Sequence, residues 1–67
     1  MNLAFAREIS SMIKTGWKVD YLEARSTDCA AAMSNADWTV WINPQGVETY
    51  RFSHALKKEV PVRVKRF

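Results

Sequence analysis

The sequence predicts one small α+β domain: a mostly antiparallel sheet of three to four strands, an N-terminal helix packed on one face, and a second short helix. Three observations predict it. Residues 2–15 carry apolar side chains at helical spacing, residues 38–52 read as a β-hairpin, and several further short runs alternate apolar and polar side chains. The chain has 67 residues, near the lower limit for independent folding, so residues 1–67 make a single domain. Its apolar fraction of 48% with three Trp, two Tyr and three Phe is that of a globular chain rather than a disordered one. A chain this short builds two layers at most, and has little material to wall a deep substrate cavity.

Residues 2–15, NLAFAREISSMIKT, predict the first helix. Asn2 suits the N-cap, Lys14 in the last turn suits the helix dipole, and Gly16 suits a left-handed C-terminal cap. Phe5, Ile9, Met12 and Ile13 form an apolar stripe flanked by Leu3 and Ala6, which predicts the buried face. Residues 17–24 alternate Trp17, Val19 and Tyr21 against Lys18, Asp20 and Leu22, a half-buried strand pattern that Leu22 and Asp20 weaken. Residues 25–28 break that strand. Ser26 or Thr27 then suits the cap of a short helix over CAAAMS, which ends near Asn35 and turns Cys29, Ala32 and Met33 inward.

The hairpin WTVWINPQGVETYRF has a turn with a mechanism. Pro44 presets φ for the second position of a type I turn, and Asn43 suits the first. Gly46 would take the left-handed conformation of a G1 bulge. That geometry sets Asn43 opposite Val47 and Trp38 opposite Phe52. It predicts a core face of Trp38, Val40, Ile42, Tyr50 and Phe52, and an outer face of Thr39, Trp41, Val47, Thr49 and Arg51. Ser53 suits the cap of one helical turn. Pro61 then forces an extended restart, and residues 60–67, VPVRVKRF, predict a final strand with a basic outer face.

Charge is uneven along the chain. Residues 1–50 carry four cations against six carboxylates. Residues 51–67 carry Arg51, Lys57, Lys58, Arg63, Lys65 and Arg66 against Glu59. A basic end on a mildly acidic body points to an anionic partner. Cys29 is the one cysteine, which rules out an intramolecular disulfide and sets a reducing cytoplasm as the expected location. The N-terminal apolar residues are spaced, so neither a membrane span nor a signal-peptide core is expected.

Enzyme signatures are weak. Cys29 and His54 could form a nucleophile–base pair only if the fold joins them, with the thiol at a helix N-terminus. No metal-ligand spacing and no phosphate-binding loop is present, so no cofactor is expected. The strongest signal is basic and aromatic: Trp41, Arg51, Lys57, Lys58, Arg63, Lys65 and Arg66 on one sheet surface. Exposed aromatic rings stack on unpaired bases while cations follow phosphates. The expectation is therefore a non-enzymatic module that contacts nucleic acid. The alternative is a protein-binding accessory or inhibitor module, of a phage or mobile-element type, whose basic face meets an acidic protein surface on a nucleic-acid-handling enzyme. A homodimer through an edge strand is compatible with either.

Overall fold

The computed structural model describes residues 3–24 and 29–67. One helix, α1 (Leu3–Lys14), precedes five strands: β1 (Lys18–Ala24), β2 (Cys29–Asn35), β3 (Trp38–Asn43), β4 (Gly46–Ser53) and β5 (Lys58–Arg66). The strands form an antiparallel sheet in the order β1-β2-β3-β4-β5, each paired with its neighbour in sequence. The α+β expectation holds, with five strands and one helix in place of three or four strands and two helices. None of the helices among the described residues is long and apolar enough to cross a membrane.

α1 lies on one face of the sheet, here the helix side. Phe5, Ile9 and Met12 are buried against Cys29, Ala31, Met33, Val40, Ile42 and Val47. The predicted stripe is correct except at Ile13, which is 52% exposed, and its predicted flank residue Leu3 is exposed as well. The helix ends as expected: Gly16 has φ 94°, and the Trp17 amide donates to the Met12 carbonyl at 3.0 Å. The expected cap residue Asn2 lies outside the described residues.

The expected second helix is strand β2. Its pattern alternates, with Cys29, Ala31 and Met33 buried on the helix side and Ala30, Ala32 and Ser34 half-buried on the other. Alanine's helix propensity is a weak preference that sheet pairing on both sides overrides. Ala31 has no exposed surface, and its small side chain suits a central strand crossed by a helix. The expected caps Ser26 and Thr27, with Asp28, lie outside the described residues.

β1 forms as predicted, and its pattern faults have a cause. The register with β2 shifts between Val19 and Tyr21, leaving Asp20 as the extra residue. Val19 then opposes Met33 and Leu22 opposes Ala31, so both point to the helix side while Tyr21 opposes Ala32 on the other. β5 is the other edge. Pro61 sits beside its own register shift, between the pairs Thr49–Arg63 and Tyr50–Pro61. Irregularities, a proline and cations on the edge strands all oppose addition of a further strand.

The hairpin register differs from the expectation by one residue. Asn43 opposes Gly46, Ile42 opposes Val47, Trp41 opposes Glu48, Val40 opposes Thr49, Thr39 opposes Tyr50 and Trp38 opposes Arg51. The loop is therefore two residues, Pro44 and Gln45. The Asn43 side-chain oxygen accepts from the amides of Gln45 at 2.9 Å and Gly46 at 3.1 Å. Gly46 has no positive φ and is the first residue of β4. It is glycine for a different reason: a Cβ there would stand 2.1 Å from the Lys65 carbonyl oxygen, on β5. The one-residue change turns β4 over relative to β3. Val47, expected outside, is core. Tyr50 and Phe52, expected in the core, are half-buried on the face away from the helix.

Ser53 starts one turn, as predicted. Its carbonyl accepts from the Lys57 amide at 2.7 Å and its hydroxyl from the Leu56 amide at 3.2 Å. Lys57 closes the turn at φ 56° and β5 restarts at Lys58.

Two outcomes test this arrangement. Gly46→Ala should destabilise by about 1–3 kcal/mol or more, because backbone rather than a movable side chain blocks the methyl. Gly16→Ala, with open space around it, should cost only the left-handed strain, about 1–2 kcal/mol. Thermal unfolding of both variants checks the order. Ile42→Ala should cost about 2–5 kcal/mol and Tyr50→Ala clearly less, which reverses if Tyr50 were core.

Candidate functional site

α1 covers only part of the helix-side face. Beyond the end of the helix the same face continues through Asn35, Trp38, Thr49 and Arg51, none of which is buried. A groove of about 480 Å³ opens here, with Trp17, Trp38 and Thr49 along it and Glu8, Arg63 and Lys65 at its β5 side. Trp38 and Arg51 oppose each other across β3 and β4. The guanidinium lies over the indole at 5.2 Å from its centroid, a cation–π contact. Arg63 opposes Thr49, and Lys65 opposes Val47. The Lys65 ammonium donates to Glu8 at 3.2 Å, which ties β5 to α1.

The residues expected to share one surface divide between two. Arg51, Arg63 and Lys65 stand on the helix side, and alternation along β5 puts Lys58, opposite Ser53, on the same side. Lys57 is in the turn before β5. Arg66, opposite Gly46, reaches the open face near Glu48 and Val64. Trp41 is also on the open face, so it does not neighbour Arg51. The tryptophan that meets the cations is Trp38, with Trp17 beside the groove. Neither was legible as a site residue: the hairpin register decides which tryptophan of β3 meets Arg51, and Trp17 joins the groove only through the packing of the fold.

The open face is chemically different. Trp41 and Tyr21 stack with centroids 6.1 Å apart and ring planes at 14°. Three carboxylates lie among the hydroxyls of this face. Tyr21 donates to Glu23 at 2.6 Å, Tyr50 to Glu48 at 2.9 Å and Thr39 to Glu59 at 2.7 Å. Tyr50 is held above its ordinary pKa of 10.0, first by its hydrogen bond to Glu48, then by desolvation and the charges of Glu48 and Glu59.

Cys29 and His54 are not brought together. Cys29 is buried under α1 at one end of β2, not at a helix N-terminus. His54 lies past the opposite end of the sheet, its Nε2 2.9 Å from Asp37 Oδ2, about 20 Å away by strand length. The Asp37 carbonyl also accepts from the Phe52 amide at 2.8 Å, so the β2–β3 turn and the β4 end are joined twice.

No family model, curated protein or solved structure matches this chain.

The tyrosine shift has a sign that can be checked. A phenol with a raised folded-state pKa contributes stability that is complete below pH 10.0 and is lost as pH rises through the folded value. Ultraviolet titration should show tyrosine ionisation above pH 10.0, a part of which Tyr50→Phe removes. Glu48→Gln should move it back toward the ordinary value.

Proposed function

We propose that the protein is a non-enzymatic module that binds single-stranded nucleic acid in the open half of its helix-side face. The observation that carries this reading is Trp38 under Arg51, with Trp38 lining a groove together with Trp17, Arg63 and Lys65. Aromatic side chains offer unpaired bases a stacking surface that any base can use. Cations alongside neutralise the phosphates. On the same face, Thr49 adds a polar group between Trp38 and β5, and Asn35 adds one on β2, on the other side of Trp38. A duplex buries its bases and would leave the indoles without a stacking partner, so single strands are the better match.

The remaining basic residues extend this surface unevenly. Lys58 continues the helix-side line of β5 and Lys57 lies just before it. Arg66 is at the far end and Trp41 on the other face, so both are outside the proposed path. An acidic protein surface, such as that of a nucleic-acid-handling enzyme, would meet the same cations. It differs in having no planar group to place on each indole.

Binding of a short single-stranded oligonucleotide across a salt series tests the reading. Trp38→Ala should lose about 1–3 kcal/mol of affinity with little change in salt slope. Arg51→Gln with Arg63→Gln should lower the slope by about one per lost phosphate contact. Trp41→Ala should bind as the parent does. Undiminished binding by a folded Arg51/Arg63 double variant would overturn the reading. Retention of an acidic protein partner with no oligonucleotide binding would replace it.

A further inference from the structure

Stacking on Trp38 treats every base alike, but a second cavity beside it has the chemistry to choose among them. It lies at the end of the sheet where the β2–β3 turn meets the end of β4. Its volume is about 450 Å³, and Asp37, Arg51, Phe52, His54, Val60 and Val62 line it. Arg51 and Val60 pair across β4 and β5, so both stand on the helix side. The guanidinium that lines this cavity is the one that lies over Trp38. Asp37 directly precedes Trp38 in the chain. A strand laid along Trp38 therefore passes the mouth of the cavity.

The lining has an apolar part and a polar part. Phe52, Val60 and Val62 supply apolar surface. Asp37 supplies a carboxylate whose position is fixed from two sides. Its carbonyl accepts from the Phe52 amide at 2.8 Å, and its Oδ2 lies 2.9 Å from His54 Nε2. A carboxylate only accepts, so the imidazole donates in this bond. The imidazole is itself set edge-on to Phe52, with ring centroids 5.1 Å apart and planes at 77°. The Asp37 side chain is still 46% exposed, so acceptor sites are left for a ligand. A cavity of this size falls in the small-ligand range of about 300–1,000 Å³ and has room for a single planar base.

A carboxylate and a guanidinium in one pocket suit one base best. Guanine presents two adjacent N–H groups, at N1 and N2, in the fork that a carboxylate accepts. It also carries O6 and N7, the acceptors that arginine donates to. Cytosine and adenine place an exocyclic amine beside a ring-nitrogen acceptor. Thymine and uracil flank their ring N–H with two carbonyls, which a carboxylate repels. We propose that this cavity is a base-specific subsite of the strand path, which takes a guanine with Asp37 at N1 and N2 and Arg51 at O6. The inference rests on the single-strand reading above and adds a sequence preference to it.

Fluorescence anisotropy of the intact protein with a short thymidine oligonucleotide, and with the same strand carrying one central guanine, tests this. The guanine should raise affinity about tenfold. Hypoxanthine in its place, which lacks the 2-amino group, should lose most of that gain. Asp37→Asn should bring the two strands to equal affinity, whereas Trp38→Ala should weaken both alike. The hypoxanthine strand keeps the test decisive if Asp37→Asn proves unstable. Equal binding of the two strands by the parent protein would overturn this inference and leave the single-strand reading standing. So would a gain that survives hypoxanthine or a folded Asp37→Asn variant, or an equal gain from adenine. Binding of neither strand would overturn both.

Discussion

Everything above depends on how closely β5 passes Gly46. A Cβ at that position would lie 2.1 Å from the Lys65 carbonyl oxygen, so only glycine lets the two strands pair there. Gly46 is thereby a strand residue opposite Asn43 and Arg66, and the loop shrinks to Pro44 and Gln45. Pro44 excludes a positive φ at the first loop position, so the mirror-image turns usual for two-residue hairpins are not open to it. The Asn43 side chain takes over, accepting both following amides. Because side chains alternate with period two, this register decides the face of every residue in β4 and, through β4, in β5.

The consequence is a sheet with accessible aromatic side chains on both faces. The helix is short and covers only the residues small or apolar enough to sit beneath it: Ala31, Met33, Val40, Ile42 and Val47. The larger side chains on the same face, Trp38 and Arg51, are left beyond its end and stack on each other. On the other face nothing in the described residues covers Trp41, Tyr21 and Val64. A five-stranded sheet from so few residues has more area than one helix can close, so aromatic side chains remain accessible on both sides.

The reach of the sequence follows from the range of the forces involved. The helix stripe, the cap at Gly16, the turn at Ser53 and the existence of the hairpin are set by neighbours in the chain, and all were legible. What was not legible was set by strands far away in sequence. Residues 29–34 were read as helix because alanine favours one, yet β1 and β3 pair with them on both sides. Gly46 was read as a left-handed turn residue because its true constraint lies on β5. The basic–aromatic signal was read on the right residue types and only partly on the right positions. Arg51, Arg63 and Lys65 do converge, but on Trp38, since a slip of one residue exchanges Trp38 and Trp41 as neighbours of Arg51.

The pairing register also distributes the charged side chains between the two faces. Arg51 lies over Trp38, and Arg63 and Lys65 line the groove beside it, whereas Glu48 opposes Trp41 on the open face, where Arg66 and Lys18 also stand. Neither set neutralises the other across the sheet, since their head groups stand on opposite sides of a backbone layer. Lys65 is drawn into an ion pair with Glu8 of the helix. Period-two alternation along β3 is enough to put Trp38 and Trp41 on opposite faces, and the register with β4 then sets Arg51 against the first and Glu48 against the second.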